Sequence, residues 1–248
     1  MKIATWNVNG IRARQAQVLE WLERESPDVV CLQEIKAARD QVPPSLWDLD
    51  GYWTYWHGQS GYSGVAVLVR RAFHAAAPSF THPSFDFETR VVTAEVGPLL
   101  VASIYVPNGG KDYAAKVRFL QALEAFARES ASAGRPLVLC GDMNVAHTEM
   151  DVHPKERKPD ALGQSSEERG LFSRLLDAGL VDVGRTLDPS NDQYFTWWAP
   201  WRSLRQRNIG WRLDYVLASP SIASRARSCP SFREIGTSDH APVVATFA

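Results

Sequence analysis

Short apolar runs alternate with amphipathic segments along the whole chain. Runs rich in Val, Ile and Leu and bounded by polar residues are typical of strands buried on both faces. They predict strands at residues 3–8, 29–32, 65–69, 91–96, 99–106, 137–140, 213–218 and 243–247. Apolar residues spaced three or four apart predict helices at 13–24, 113–130 and 167–178. This alternation favours an α/β fold in which helices cover the sheets.

Two polar stretches, 147–170 and 188–208, interrupt the alternation. Long loops inside a compact fold are usually functional or mobile, so these two are candidates for ligand-binding segments. No repeat, low-complexity tract or Pro/Gly-rich linker divides the 248 residues, of which 45% are hydrophobic. We therefore expect a single domain spanning 1–248.

Net charge and cysteine content limit the classes of function that this protein could have. A formal net charge of -1 argues against coating nucleic acid by bulk charge, so any such affinity needs a locally basic face. Cys31, Cys140 and Cys229 lack metal-ligand spacing and are interpreted as reduced structural thiols. The N-terminal stretch is too weakly apolar for a signal peptide, and no run approaches membrane-spanning length. These features predict a cytoplasmic protein.

Acidic side chains follow several of the predicted strands. Glu34 comes directly after the strand at 29–32, and Asp239 precedes the last strand. Mg²⁺ prefers one or two carboxylates together with water and phosphate oxygens, which these two residues could supply. Asn7 could add an amide oxygen or hold a metal-bound water. Taken alone, Glu34 would more often be a solvated carboxylate at the end of a strand.

The string GDMN ends the strand at 137–140. Asp142 could accept a proton from an attacking water, and Asn144 could orient that carboxylate or the water. The alternative is an Asx-type turn that only ends the strand. The string is short, so by itself it is a weak signal.

An acid and an imidazole are adjacent in SDHAP, just before the last strand. His240 could donate a proton or a hydrogen bond to a phosphoryl oxygen, and Asp214 could fix its tautomer. Tyr105 offers a phenolic donor to a phosphate, and Asn108 begins a turn with two glycines. A lone His or Tyr at a strand end is more often structural, but the acidic neighbours shift the balance.

Together these residues provide a divalent-ion site, a base, donors for developing charge and a means of positioning. No GxSxG, HExxH or P-loop string is present, which disfavours esterases, zinc proteases and nucleoside triphosphatases. The pattern predicts a metal-assisted phosphodiesterase.

The segment 195–215 interleaves tryptophans with arginines. Arginines neutralise phosphates and indoles offer flat surfaces to bases or bare sugars, so this composition suits a nucleic-acid ligand. A core cluster of tryptophans with solvated arginines is the alternative, and we expect both to be partly true. The residues are Trp197, Trp198, Trp201 and Trp211 with Arg202, Arg205, Arg207 and Arg212, and Lys155, Arg157 and Lys158 add a second basic patch.

The strings WNVNG, LQEIK, YVPNGG, GDMN, TWW, NIGWRLDY and SDHAP occur in the order found in the exonuclease III family of apurinic/apyrimidinic endonucleases, which the chain resembles from residue 5 to 243. The resemblance implies the four-layered α/β sandwich of the endonuclease/exonuclease/phosphatase superfamily. It also implies a DNA-repair enzyme that uses Mg²⁺, with Mn²⁺ as a substitute. Its expected reactions on double-stranded DNA are incision 5′ to abasic sites, 3′-phosphodiesterase and 3′-phosphatase cleaning of blocked 3′ ends, and 3′-to-5′ exonuclease action. Nothing in the sequence requires more than a monomer, and the compact chain suggests a bacterial source.

By matching motif, the resemblance implies roles for individual residues. The implied metal residues are Asn7, Glu34 and Asp239, with Asp142 and Asn144 as further candidates, and the catalytic residues are Tyr105, Asp142, Asn144, Asp214 and His240. Trp197, Trp211 and Leu213 would wall a pocket for a flipped-out abasic sugar, and Asn108, Lys111 and Arg212 would contact DNA.

Two positions depart from the family pattern, and two other functions stay open. Thr89 stands where many relatives have Gly, and Lys111 stands where some relatives place an Arg that enters the DNA. A phosphodiesterase acting on lipid or inositol phosphates would share the hydrolytic core, but it leaves the TWW and NIGWRLDY strings unexplained. A non-catalytic DNA-binding module would be expected to have lost some of the acidic groups.

Overall fold

The computed structural model describes all 248 residues, which form two six-stranded sheets packed face to face. The strands are β1 (Lys2–Asn7), β2 (Val29–Gln33), β3 (Tyr52–Gln59), β4 (Tyr62–Arg70), β5 (Ser79–Thr81), β6 (Val91–Val96), β7 (Leu99–Tyr105), β8 (Leu137–Asp142), β9 (Val181–Asp182), β10 (Asp214–Ala218), β11 (Ala226–Ser228) and β12 (Val243–Phe247).

Each sheet is mixed, with one parallel pair at its centre. The first sheet has the order β11-β12-β1-β2-β4-β3 and the second the order β5-β6-β7-β8-β10-β9. The pairs β1–β2 and β7–β8 are parallel, and the other pairs are antiparallel. Parallel strands need a crossover, which is supplied by a helix in both cases.

The chain has six α-helices, and the three longest cover the outer faces of the sheets. The helices are α1 (Ile11–Glu25), α2 (Pro44–Trp47), α3 (Tyr113–Ser132), α4 (Ser166–Asp177), α5 (Val183–Leu187) and α6 (Pro220–Ala223). Helix α1 packs on the first sheet, and α3 and α4 pack on the second. A third apolar layer lies between the two sheets. The layers therefore run helix, sheet, sheet, helix, as predicted.

All eight predicted strands and all three predicted helices are present, with ends shifted by a few residues. The short strands β5, β9 and β11 and the longer β3 were not predicted. Strand β3 is an edge strand whose residues are mostly half-exposed, so it lacks the continuous apolar run of a central strand. None of the helices combines the length and apolar character that a transmembrane segment needs.

Registry between strands brings the polar strand ends together. Asp142 pairs with Tyr105 across the parallel β7–β8 ladder and with Asp214 across the antiparallel β8–β10 ladder. Gly141 allows this close packing, since a Cβ there would lie 1.8 Å from the Ile104 carbonyl oxygen. The glycine of GDMN is therefore needed for the close packing of β7 against β8, in addition to any role in a turn. In the first sheet, Asn7 pairs with Gln33 at the matching edge.

Candidate active site

Both sheets contribute to one group of charged side chains, called here the ionic cluster: Glu34, Asp142, Asp214, Asp239 and His240. Potential ligand atoms of Glu34, Asp142 and His240 all lie within 4.8 Å of one another. Glu34 follows β2 of the first sheet and Asp142 ends β8 of the second. The predicted convergence of these motifs is therefore seen in the fold.

Asn7 joins carboxylates from the two sheets. Its amide nitrogen donates to Glu34 Oε1 and to Asp142 Oδ2, both at 2.9 Å. Its amide oxygen accepts the backbone N–H of Asn9 at 3.0 Å. In this arrangement Asn7 orients two carboxylates, while its oxygen is engaged by the backbone.

Asp142 is a fully buried carboxylate of the cluster. Its Oδ1 accepts the backbone N–H of Asn144 at 2.9 Å, and the Asn144 amide donates to the Val106 carbonyl at 2.8 Å. Burial raises the pKa of Asp142 to about 7, with repulsion from Asp214 and Glu34 adding to it and the His240 charge opposing it. Such a carboxylate can take up a proton near neutral pH.

His240 lies between two carboxylates. Its Nδ1 is 2.8 Å from Asp214 Oδ2 and its Nε2 is 3.8 Å from Asp142 Oδ2. Burial alone would lower its pKa, but Asp214 and Asp142 raise the pKa of His240 to about 10. The imidazole is therefore held as a cation whose Nε2 faces the centre of the cluster. Asp214 Oδ1, buried beside it, has no hydrogen-bond partner.

Glu34 is held in a conformation that L-residues rarely adopt. Glu34 and Lys36 both have φ of 49°, and the Lys36 ammonium lies 2.7 Å from Glu34 Oε2. Burial would raise the pKa of Glu34, but hydrogen bonds from Asn7 and Lys36 lower it overall. Left-handed backbone at non-glycine residues is a cost that folds tolerate mainly at functional sites.

Tyr105 lies at the end of β7, next to Glu34 and Asp142. Burial, followed by the two neighbouring carboxylates, raises the pKa of its phenol well above the usual range. The hydroxyl therefore stays protonated and can donate a hydrogen bond. The buried Arg90 guanidinium lies 4.7 Å from the centre of the Tyr105 ring.

Asp239 connects the ionic cluster to an aromatic wall. Its Oδ1 accepts from the Asn9 amide at 2.8 Å and its Oδ2 from the Trp197 indole N–H at 3.0 Å. Trp197 packs edge-on against Trp211, with ring centres 5.5 Å apart, and both contact Leu213. The two half-exposed indoles thus form an apolar surface beside the carboxylates, with the buried Leu213 in the apolar cluster behind them.

The donor set fits a hard divalent cation. Several carboxylates lie close together in a half-buried site, and their repulsion helps to raise the pKa of Asp142. A buried carboxylate oxygen without a partner adds to this excess of negative charge. Oxygen-rich, anionic surroundings of this kind suit Mg²⁺ or Mn²⁺.

Several supporting residues were missed from the sequence. The buried Lys116 ammonium donates to the backbone carbonyls of Asn108 at 3.1 Å and Asn144 at 2.8 Å, and it pairs with the buried Glu168. It thereby ties the YVPNGG turn to the GDMN turn from behind. Its only sequence signal is a lysine on the apolar face of a predicted helix. Asn9, Lys36 and Arg90 were likewise not assigned, although each lies within or next to a motif.

The sequence prediction that Arg212 contacts DNA is wrong, because its side chain is buried. Its side chain is 1% exposed and forms bonds of 2.7 Å to Asp151 and 2.7 and 3.0 Å to Asp182. Arg185 also binds Asp151, at 2.7 Å, completing what we call the arginine network: Asp151, Asp182, Arg185 and Arg212. A guanidinium so enclosed cannot reach a phosphate, so Arg212 is structural.

The expectation that segment 195–215 mixes core and surface is supported residue by residue. Trp198 is buried, whereas Trp201 is 59% exposed. The Arg205 guanidinium donates to the carbonyls of Arg233, Ser238 and Ile235 and is committed to the fold. Arg202 and Arg207 are exposed, as are Lys155, Arg157 and Lys158 in the other long loop.

The loop after β7 lies at the rim of the site. Asn108 and Lys111 are exposed, and the Asn108 side chain accepts the N–H of Gly110 at 3.2 Å. The Lys111 ammonium lies 6.0 Å from the centre of the Tyr62 ring. Nearby, Thr89 has φ of 57°, a conformation that Gly adopts without strain. The departure from Gly at this position therefore leaves the turn intact at a cost in strain.

Known proteins share both the sequence and the architecture. The sequence matches the endonuclease/exonuclease/phosphatase family over residues 4–240. An exodeoxyribonuclease of Bacillus subtilis is 36% identical over 251 residues, covering 98% of each chain. A 3′-5′ exonuclease from Neisseria meningitidis superposes with a TM-score of 0.91 at 34% identity, covering 100% of this chain and 99% of that one.

An AP endonuclease from Archaeoglobus fulgidus superposes with a TM-score of 0.90 at 31% identity and covers 100% of this chain and 99% of its own. The similarity therefore extends over the polar strand ends as well as over the two sheets. Sequence, fold and the convergence of acidic motifs agree, and the chain belongs to the endonuclease/exonuclease/phosphatase family, within its exonuclease III group of nucleases.

Proposed function

We propose that this chain is a DNA-repair phosphodiesterase that incises duplex DNA on the 5′ side of abasic sites and also trims or cleans 3′ ends. One observation carries the abasic-site assignment: Trp197 donates to Asp239 in the ionic cluster and packs against Trp211. An apolar wall is thus fixed directly beside the groups that would hydrolyse the backbone. A sugar without a base can lie on such a wall once it leaves the helix.

The ionic cluster supplies a proton acceptor for the attacking water. In the proposed role, Asp142 takes one proton as the water oxygen forms its bond to phosphorus and the bond to the leaving oxygen breaks. Asn144 and Asn7 hold this carboxylate from two sides, at 2.9 Å each. General-base catalysis by a positioned carboxylate contributes about 10²- to 10⁴-fold in rate.

Negative charge that develops on the phosphoryl oxygens needs donors fixed in advance. The His240 cation, held by Asp214 at 2.8 Å, precedes β12 of the first sheet, and the protonated Tyr105 hydroxyl is carried by β7 of the second. Preorganised donors stabilise the transition state without reorganising during the reaction. We assign His240 and Tyr105 to this role, with Asp214 fixing the imidazole.

Glu34 and Asp239 are the proposed metal residues, with Asp142 and Asn144 as further candidates and Asn7 orienting the carboxylates of Glu34 and Asp142. A bound Mg²⁺, or Mn²⁺ in its place, would supply Lewis-acid neutralisation of the phosphate. The proposed partner is a DNA duplex carrying an abasic site or a blocked 3′ end. Asn108, Lys111 and the exposed basic loops would contact its backbone.

The enzyme is further proposed to act as a single-domain monomer in the bacterial cytoplasm. All elements needed for the cluster lie within residues 7–240, and the two sheets share one apolar interface. No second copy is needed to complete the cluster.

The test is cleavage of a duplex with one abasic-site analogue, with Mg²⁺ and with chelator, beside an undamaged duplex with a recessed 3′ end. Mg²⁺-dependent nicking 5′ to the lesion is expected. Digestion of the second duplex measures the exonuclease activity for comparison with the incision activity. Absence of nicking by the folded protein would contradict the proposal, and activity on lipid phosphodiesters alone would replace it.

A matched pair of tryptophan variants tests the role of the wall. Trp211→Ala is expected to lower incision at the abasic site by about tenfold or more, because apolar contact with the bare sugar is lost at about 25 cal/mol per Å² of buried surface. Trp201→Ala removes an equally large indole from an exposed loop and is expected to change little. Equal effects of the two changes, in variants whose circular dichroism is native, would rule out the wall as the selecting element.

A further inference from the structure

A second cluster of metal-ligating side chains lies outside the ionic cluster. His57, His82 and Asp86 each offer a ligand atom, and these atoms lie within 4.8 Å of one another. His57 Nε2 is 2.6 Å from Asp86 Oδ2, and the two imidazole rings have centres 3.9 Å apart. We propose that His57, His82 and Asp86 form a binding site for a borderline divalent transition metal such as Zn²⁺.

The ligands are already oriented by the backbone of one residue, Val91. Its N–H donates to Asp86 Oδ1 at 2.9 Å, and its carbonyl lies 3.1 Å from His82 Nδ1. A carbonyl only accepts, so His82 Nδ1 carries the proton, and the lone pair of Nε2 accepts the Tyr55 hydroxyl at 2.9 Å until a metal takes its place. A ring N–H bonded to a backbone carbonyl is the usual arrangement for a metal-bound histidine.

Asp86 is held as an anion whose second oxygen faces His57. The backbone N–H groups of Arg90 and Val91 both occupy Oδ1, at 2.8 and 2.9 Å, so Oδ2 is turned toward His57. Burial opposes ionisation, but the hydrogen bonds from His57 and the two backbone groups lower the pKa of Asp86 overall. The charged Asp86 Oδ2 and one nitrogen from each of the two imidazoles thus lie close enough together to bind one metal ion.

The residue types and access favour zinc over magnesium. Two imidazoles and one carboxylate suit Zn²⁺, Ni²⁺ or Cu²⁺, whereas Mg²⁺ prefers oxygens alone. Zn²⁺ bonds of about 2.0–2.1 Å need only a small opening of the present His57–Asp86 contact. His82 is exposed and the Tyr55 hydroxyl lies 2.9 Å from its Nε2, so an ion can enter from solvent and find a further oxygen.

The position suggests what the ion would do. His57 lies on β3, the edge strand of the first sheet, and His82 directly follows β5, the edge strand of the second. Tyr55 and Phe80 already stack across this seam, with ring centres 5.0 Å apart. An ion held by His57, His82 and Asp86 would fasten the two sheets at their open edge, so zinc would raise the thermal stability of the chain.

Zn²⁺ titration followed by calorimetry tests the site, in excess Mg²⁺ so that hard-cation positions are filled. One zinc per chain is expected for the wild type and for Glu34→Gln, which alters only the ionic cluster. His82→Asn and His57→Gln are expected to weaken zinc binding by about tenfold or more, because loss of a ligand costs at least as much as loss of an outer partner.

His74→Asn is the matched control, since this histidine belongs to neither cluster. It should bind zinc as the wild type does. In melting experiments, zinc should raise the transition temperature of the wild type and His74→Asn but not of His82→Asn. Zinc binding of equal strength in wild type and His82→Asn, or loss of the zinc in Glu34→Gln alone, would overturn the proposal.

Discussion

The ionic cluster and the arginine network are both buried groups of charges, yet they differ in how completely their charges are matched. In the arginine network two guanidinium groups face two carboxylates, and both oxygens of Asp151 are occupied, Oδ2 by Thr148 at 2.9 Å. In the ionic cluster four carboxylates face one imidazole and the Lys36 ammonium, and Asp214 Oδ1 has no partner.

The consequence is visible in the pKa values of two aspartates. Burial raises the pKa of both, but in Asp151 the Arg212 and Arg185 interactions prevail and lower it to about 2, whereas Asp142 is raised to about 7. Complete pairing fixes a structure, while an excess of one charge leaves groups free to bind a cation or accept a proton. Mutations can test whether the two regions are separable in this way.

The largest effect is expected at Asp142. Asp142→Asn should lower single-turnover cleavage of an abasic duplex by about 10²- to 10⁴-fold, since the proton acceptor is lost, and should spare duplex binding. In chelator its unfolding free energy should equal or exceed that of the wild type at pH 8, because an anion with a raised pKa destabilises the fold there. A near-normal rate would contradict the catalytic role.

Asp151→Asn should lower the stability of the fold and leave the rate of cleavage nearly unchanged. Removing one partner of a buried ion pair costs about 3–5 kcal/mol, so urea denaturation should show a large loss of unfolding free energy. Cleavage per folded molecule should remain within a few-fold of the wild type. The exposed Asp50→Asn serves as the control, with a change within about 0.5 kcal/mol. If Asp151→Asn lowered the cleavage rate without lowering the unfolding free energy, the arginine network could not be called purely structural.

Acid should weaken the arginine network. The pKa of Asp151 is lowered to about 2 by its arginine partners against the opposing effect of burial, so its contribution is present above the unfolded value near 4 and is lost as pH falls toward 2. The difference corresponds to about 2 kcal/mol. Unfolding free energy measured over this range should therefore fall less steeply in Asp151→Asn than in the wild type.

The smallest predicted effect concerns backbone strain outside both groups. Thr89 has φ of 57°, and a β-branched residue in this region costs about 1 kcal/mol or more. Thr89→Gly should raise the unfolding free energy by up to about 1 kcal/mol, offset in part by the greater freedom of Gly in the unfolded chain. Thr89→Ala, which relieves less strain, should gain less. Destabilisation by Gly would show that the Thr89 side chain is needed.

The difference between the two regions also explains what could be predicted from the sequence. Apolar runs in the sequence predict the central strands, and the polar motifs at the ends of those strands identify Glu34, Asp142 and His240 as candidate site residues. Side chains whose role depends on distant partners carry no such signal. Arg212, inside a DNA-binding motif by resemblance, is bound to Asp151, 61 positions away. Lys116 was overlooked because its partner Glu168 and both carbonyl contacts come together only in the folded chain.

Strand order has a consequence for when this protein can cut DNA. The last strand, β12, pairs with the first, β1, and the two residues that close the ionic cluster, Asp239 and His240, immediately precede it. A chain truncated before residue 239 would have Glu34 and Asp142 but would lack the imidazole between the carboxylates. The ionic cluster is therefore expected to form only after β12 has paired with β1.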